Sequence, residues 1–222
     1  MFFKPSIPKE IKKREITLLL HSTHLHKNLP LILTDGRIHT AQELIARYGQ
    51  ERAARLLHDP HRYEQFTVGL NYINASLTVP NVQLLYHRSQ SEWQTEWVHF
   101  AFDLSLLELP TTRFSPVSAA AGCGQFIAAG LDGFQAMFAD FVETYSRNHL
   151  PLSEPTHPQA EVLIHGSADL ASVQAIYVPH RTTLLEVARL CERHARPIPI
   201  HIAPHLFVWP ARLSRNKTEP AA

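Results

Sequence analysis

Four runs rich in β-branched and aromatic residues, at 66–79, 97–102, 161–165 and 173–178, set the firmest limit on what this chain folds into. The first two follow the period-two pattern of a strand, and Pro80-Asn81 and Asp103 close them. The last two are short apolar runs on either side of the Gly166 turn. Helix signals cluster before the first run. Residues 28–34 read as a short helix stopped by Asp35-Gly36, and Thr40-Ala41-Gln42-Glu43 fits a capping box ahead of Leu44, Ile45 and Tyr48 at helical spacing. That helix resumes through 53–57 after Gly49, and a second capping box, Thr183 to Glu186, opens a helix running to about His194. An extended arm over residues 2–8 precedes a first strand at 16–20, and a last strand falls at 198–202. Residues 110–133 read as a long irregular connection before a short helix around 134–141. Strands outnumber helices and do not alternate with them, which predicts an α+β fold over a doubly wound sheet.

A length of 222 residues suits one domain, with residues 1–15 as an N-terminal arm and 212–222 as a frayed tail. Apolar residues at 45% and charged residues at 18% argue against disorder. The net charge of +1 provides no global field for nucleic acid or membrane, so any nucleic-acid contact must come from a local patch. The apolar run 16–20 is too short to span a membrane. Two cysteines without metal-site spacing suit a reducing cytoplasm. Eight glycines form neither a dinucleotide fingerprint nor a phosphate loop.

Fifteen histidines raise the question of a metal, but His21, His24 and His26 sit on a strand and loop with no H-E-x-x-H helix, and no metal is expected. Glu161 follows a proline-rich loop and begins the apolar strand Val162-Leu163-Ile164, where a carboxylate can serve as a base or offset positive charge, or can simply be a solvated strand-start residue. Arg62 suits a phosphate or carboxylate clamp, or an ordinary surface site.

Three segments, taken in order, resemble the DarT family of DNA ADP-ribosyltransferases, toxins that use NAD to modify bases in single-stranded DNA. The first is Leu20-His21-Ser22-Thr23-His24 with Asn28 to Leu33 and Asp35-Gly36. The second is the arginine before the long strand, placed at Arg62 with Arg52 and Arg55 as neighbouring alternatives. The third is Gln159-Ala160-Glu161-Val162-Leu163-Ile164-His165-Gly166. The resemblance covers roughly residues 18–178. Pro80-Asn81, Leu84 to Tyr86, Trp97-Val98, Phe114-Ser115-Pro116, Ala119 to Ala121 and Ala136 to Asp140 look most like the branch associated with guanine.

The resemblance implies a split β-sheet core with helices packed around it and a bent NAD as co-substrate. His21, Ser22 and Thr23 are then cofactor-binding residues, Arg62 contacts NAD and orders the catalytic groups, and Glu161 is the catalytic acid. Gln159 is expected at the nucleobase, because its amide both donates and accepts. Transferases that modify arginine generally carry a second acid at that position, so Gln159 disfavours arginine, although it is also compatible with asparagine. Tyr145, Arg147 and His157 lie in the segment 140–158 that enters the catalytic strand, and are expected to stack an unpaired base and touch phosphates. The implied partners are single-stranded DNA and an ADP-ribosyl-glycohydrolase antitoxin. The alternatives are a transferase acting on RNA or protein, and a non-catalytic binding module on the same fold.

Overall fold

The structure is a computed structural model, and it describes residues 5–57, 67–89 and 97–208. Arg62 and the tail 212–222 lie outside the described residues. Seven α-helices fall within them: α1 Ile7–Lys13, α2 Leu29–Asp35, α3 Ala41–Tyr48, α4 Gln50–Leu57, α5 Val82–Arg88, α6 Gly130–Ala136 and α7 Arg181–Arg193. The strands are β1 Leu19–His24, β2 Arg37–Ile38, β3 Tyr72–Leu77, β4 Trp97–Phe102, β5 Arg113–Ser115, β6 Ala128–Ala129, β7 Phe141–Val142, β8 Tyr145–Ser146, β9 Glu161–His165, β10 Ala168–Asp169, β11 Val173–Val178 and β12 Ile200–Ile202. The α+β expectation holds.

Eight strands form one sheet in the order β12-β11-β4-β1-β3-β9-β5-β6, antiparallel except for the parallel pair β11–β12. Strand β3 divides its pairing between two neighbours. Its end, Ser76 and Leu77, pairs with Leu20 and Leu19 of β1, whereas its beginning, Tyr72 to Ala75, pairs with His165 to Val162 of β9. The sheet therefore splits where β1 passes Leu20, and residues 21–24 continue on β4 alone. On one face of the sheet Leu19, Phe100, Phe114, Val162 and Ile176 pack against Leu29, Leu33, Phe134 and Val187 of the helices. The opposite face carries a smaller cluster of Leu20, Ala101, Ala175, Leu206 and Phe207, closed by the turn 204–207.

Several local expectations are corrected. Residues 7–13 are helical rather than an extended arm, because Pro8 sits in the first turn, where it has no amide to waste, and Glu10 pairs with Arg14 at 3.0 Å. The first strand lies at 19–24, starting only at the end of the run at 16–20 and continuing past it. The run 66–79 opens with a 3-10 turn, Thr67–Asn71, before β3. Helix α7 begins at Arg181, since His180 is the N-cap and its Nδ1 accepts from the Thr183 amide at 3.4 Å, so no capping box forms at Thr183. The connection 110–133 contains two sheet strands, and the helix expected at 134–141 ends at Ala136, with a β7–β8 hairpin after it. The Thr40 capping box and the break at Gly49 form as expected.

Candidate active site in the split of the sheet

The split opens a cleft with about 1320 Å³ of empty space, the open solvent at its mouth included. One wall is polar, made by His21, Ser22 and Thr23 of β1, Asn74 of β3 and Glu161 of β9; the other is apolar, with Leu31 of α2, Leu44 of α3 and Leu56 of α4. A cleft with one polar and one apolar wall suits a ligand with both polar and planar apolar parts.

His21 bridges the gap in the sheet. Its Nδ1 donates to the Asn74 carbonyl at 2.9 Å, because a carbonyl can only accept. Burial pushes its pKa below the usual histidine value, against the opposing pull of that carbonyl, so the ring is neutral at pH 7 and Nε2 is left as an acceptor. Ser22 Oγ lies 3.0 Å from Nδ1 of His99, a ring stacked on Phe207 at 4.3 Å and with its pKa lowered by burial to about 3. Thr23 is buried on the next turn of the pleat.

Glu161 is 3% exposed, which is unusual for a carboxylate and does not fit a solvated strand-start residue. The Ala119 amide donates to its Oε2 at 2.7 Å, a charge-assisted bond from the loop after β5. Period-two alternation turns Val162 and Ile164 into the core, which leaves Glu161 on the opposite face of β9.

The other expected residues are placed less uniformly. Gln159 is half-buried on the approach to β9, and its backbone N–H donates to His157 Nδ1 at 3.1 Å. His157 is itself buried, edge-on to the Tyr145 ring at 4.5 Å and 3.4 Å from the Glu143 carboxylate. Tyr145 packs on Val82, Leu85 and Trp97. Arg147 donates to the carbonyls of Glu154, Pro151 and Leu152 at 2.7, 3.0 and 2.8 Å, so its guanidinium shapes its own loop instead of standing free for phosphates. Arg52 lies over the Tyr48 ring and Arg55 pairs with Glu51, both on the exposed side of α4.

Sequence reasoning missed three residues of this region. Arg88, in the last turn of α5, lines the cleft. Asn74 also lines it, with Nδ2 buried and without a hydrogen-bond partner among the described residues, as is Oδ1 of Asn28. The available signal for Asn74 was an asparagine inside a strand run, where that residue is disfavoured. Among the described residues, no group of three or more His, Cys, Asp or Glu side chains is arranged to hold a metal ion.

The sheet split thus brings His21 and Thr23 of β1 and the buried Glu161 of β9 to one cleft. The sequence profile described as "ssDNA thymidine ADP-ribosyltransferase, DarT" matches residues 20–208. The chain belongs to the DarT family, and is an ADP-ribosyltransferase of single-stranded DNA.

Solved structures share the fold. The DarT of Thermus sp. 2.9 in complex with NAD+ superposes with a TM-score of 0.56 at 15% identity, over 86% of this chain and 98% of that one. The same protein in complex with ADP-ribosylated ssDNA gives a TM-score of 0.55 at 18% identity, over 93% and 100% of the two chains. Thermosipho africanus DarTG in complex with ADP-ribose gives 0.58 at 17% identity, over 87% of this chain and 51% of that longer one. No curated protein sequence matches the chain.

Proposed function

We propose that the split between β1 and β3 takes NAD and that Glu161 is the acid at the transfer position. The buried carboxylate, held by the Ala119 amide on the lip of the cleft, is the observation that carries this reading. Cleavage of the glycosidic bond sends its electron pair to the nicotinamide ring nitrogen, which leaves neutral, and the ribose carbon becomes oxocarbenium-like. Glu161 offsets that charge, holds a ribose hydroxyl and accepts the proton displaced as a ring nitrogen of the base bonds to the ribose carbon. His21, Ser22 and Thr23 hold the nicotinamide end through side-chain and backbone hydrogen bonds. Neutral His21 suits this role, since a second positive charge would oppose the cationic ring of NAD.

Arg62 is the proposed NAD arginine, supported by the engagement of Arg52 and Arg55 outside the cleft. Gln159, Tyr145, Arg147 and His157 form or shape the substrate-facing side next to Glu161. The family description points to thymidine as the base, while the central segments resemble the guanine branch; nucleoside digestion and mass spectrometry of the product separate the two. The protein acts in the cytoplasm as the toxin of a pair whose antitoxin is an ADP-ribosyl-glycohydrolase. No helix among the described residues is long and apolar enough to cross a membrane.

The experiment is incubation with labelled NAD and separate pools of single-stranded DNA, RNA and protein. Label is expected in DNA, and Glu161→Gln is expected to remove it by at least ~100-fold while the melting temperature stays near the parent's. Activity within a few-fold of the parent would remove Glu161 from the transfer position.

A further inference from the structure

Beside Glu161 lies a polar group that no described residue bonds. Ser115 is 0% exposed, and its Oγ is buried without a hydrogen-bond partner among the described residues. It sits directly opposite Glu161 in the antiparallel β5–β9 pair. In the next pair, Phe114 and Val162 both turn into the main core, so Ser115 and Glu161 project together from the other face. Directly opposed side chains on one face have their Cβ atoms roughly 5 Å apart, within reach of a small rotation of either side chain. Ser115 Oγ, without a partner among the described residues, therefore carries the desolvation cost of a buried hydroxyl directly across the ladder from the buried acid.

We propose that Ser115 is a positioning residue that turns the Glu161 carboxylate into its reactive orientation during transfer, an inference that rests on Glu161 being the acid. The Ala119 amide can only donate, so it serves an acceptor oxygen of Glu161 but cannot accept from the O–H of the protonated acid. A hydroxyl both donates and accepts. Ser115 donates to Glu161 while the carboxylate faces the cationic ribose, and accepts from it once it has taken the proton of the base. One rotating hydroxyl thus pairs with the carboxylate as donor and with the O–H of the protonated acid as acceptor; a backbone amide can only donate, and an alanine at this position does neither. The group stays unpaired in the resting chain because Glu161 is drawn to Ala119 there, and the bond forms as the substrates shift the carboxylate.

The test compares Ser115→Ala, Glu161→Gln and the double variant in the full chain. It measures kcat and KM for NAD with a single-stranded DNA substrate, together with thermal melting. Ser115→Ala is expected to lower kcat ~tenfold and leave KM for NAD within about twofold, without lowering the melting temperature, because the hydroxyl has no bond to lose. In the Glu161→Gln background the same substitution is expected to cost nothing further. A parental kcat in Ser115→Ala, a loss explained by a lower melting temperature, or an additional loss on top of Glu161→Gln would each overturn the proposal. Full activity in Glu161→Gln would instead overturn the assignment of the acid itself.

Discussion

The cleft is completed by groups that come from distant parts of the chain. His21 reaches the Asn74 carbonyl across 53 residues of sequence, and that single bond spans the gap where the β1–β3 ladder stops. The side chain of Asn74 lies on the same face of β3 as that of Glu161 on β9, since Asn74 pairs with Leu163, two residues along. Its unpartnered Nδ2 is a donor ready for a ligand oxygen in the cleft. Replacing Asn74 by Ala is expected to weaken NAD binding ~3- to 10-fold, the value of one neutral hydrogen bond, and to leave the melting temperature unchanged or slightly higher. Calorimetric titration with NAD checks this, and unchanged affinity would take Asn74 out of the site. His21, Thr23 and Glu161 were legible because each belongs to a short local pattern. The places of Asn74 and Arg88 in the cleft, and of Ser115 opposite Glu161, were not, because they arise from strand register and helix placement that no local window contains.

At the level of elements, the segment before β9 is held by side chains spent on its own backbone. Arg147 caps three carbonyls of the 151–154 turn, and its guanidinium and that of Arg14 lie over the Phe138 ring at 5.2 and 4.1 Å. The loop is thereby tied to both α6 and α1. A lysine keeps the charge but not the planar fork of donors, so Arg147→Lys is expected to loosen the turn. Faster limited proteolysis within 147–155 should accompany a fall of several-fold in DNA transfer, with the slow hydrolysis of NAD by water retained. Equal loss of both activities would show that the loop supports the NAD site instead. The sequence marked this segment as functional from its prolines and aromatics, but a lone arginine carries no sign of whether it will meet a phosphate or three carbonyls. Gly36 shows the same limit. It was read as a turn residue and does cap α2 with a positive φ of 72°, yet the Arg196 guanidinium also packs where a Cβ would stand, which no local pattern encodes.

For the whole molecule, the positions of three long strands were readable and their neighbours were not. The runs at 97–102, 161–165 and 173–178 are β4, β9 and β11, but the order that sets β1 between β4 and β3 comes only from packing two hydrophobic faces at once. That order buries His99 at the centre of the sheet, behind Ser22, where its pKa falls from 6.5 to about 3; His21 is lowered in the same direction, chiefly by burial. The unfolded chain therefore binds protons that the folded chain refuses. Stability from these histidines is fully present above pH 6.5 and is lost as the pH falls from there toward 3, with His99 alone contributing up to about 1.4 kcal/mol per pH unit. Glu43 and Asp103, whose pKa values are lowered from 4.5 and 3.8, lose their share only below those values, so the window between pH 6.5 and 4.5 belongs to the histidines. Melting followed from pH 7.5 down to pH 4.5 is expected to show a steady fall through that window. His99→Gln keeps a hydrogen-bonding group beside Ser22 but has no proton to gain, so its melting temperature should start lower and fall less steeply. A variant that tracks the slope of the parent would mean that the acid sensitivity arises elsewhere than at the back of β1.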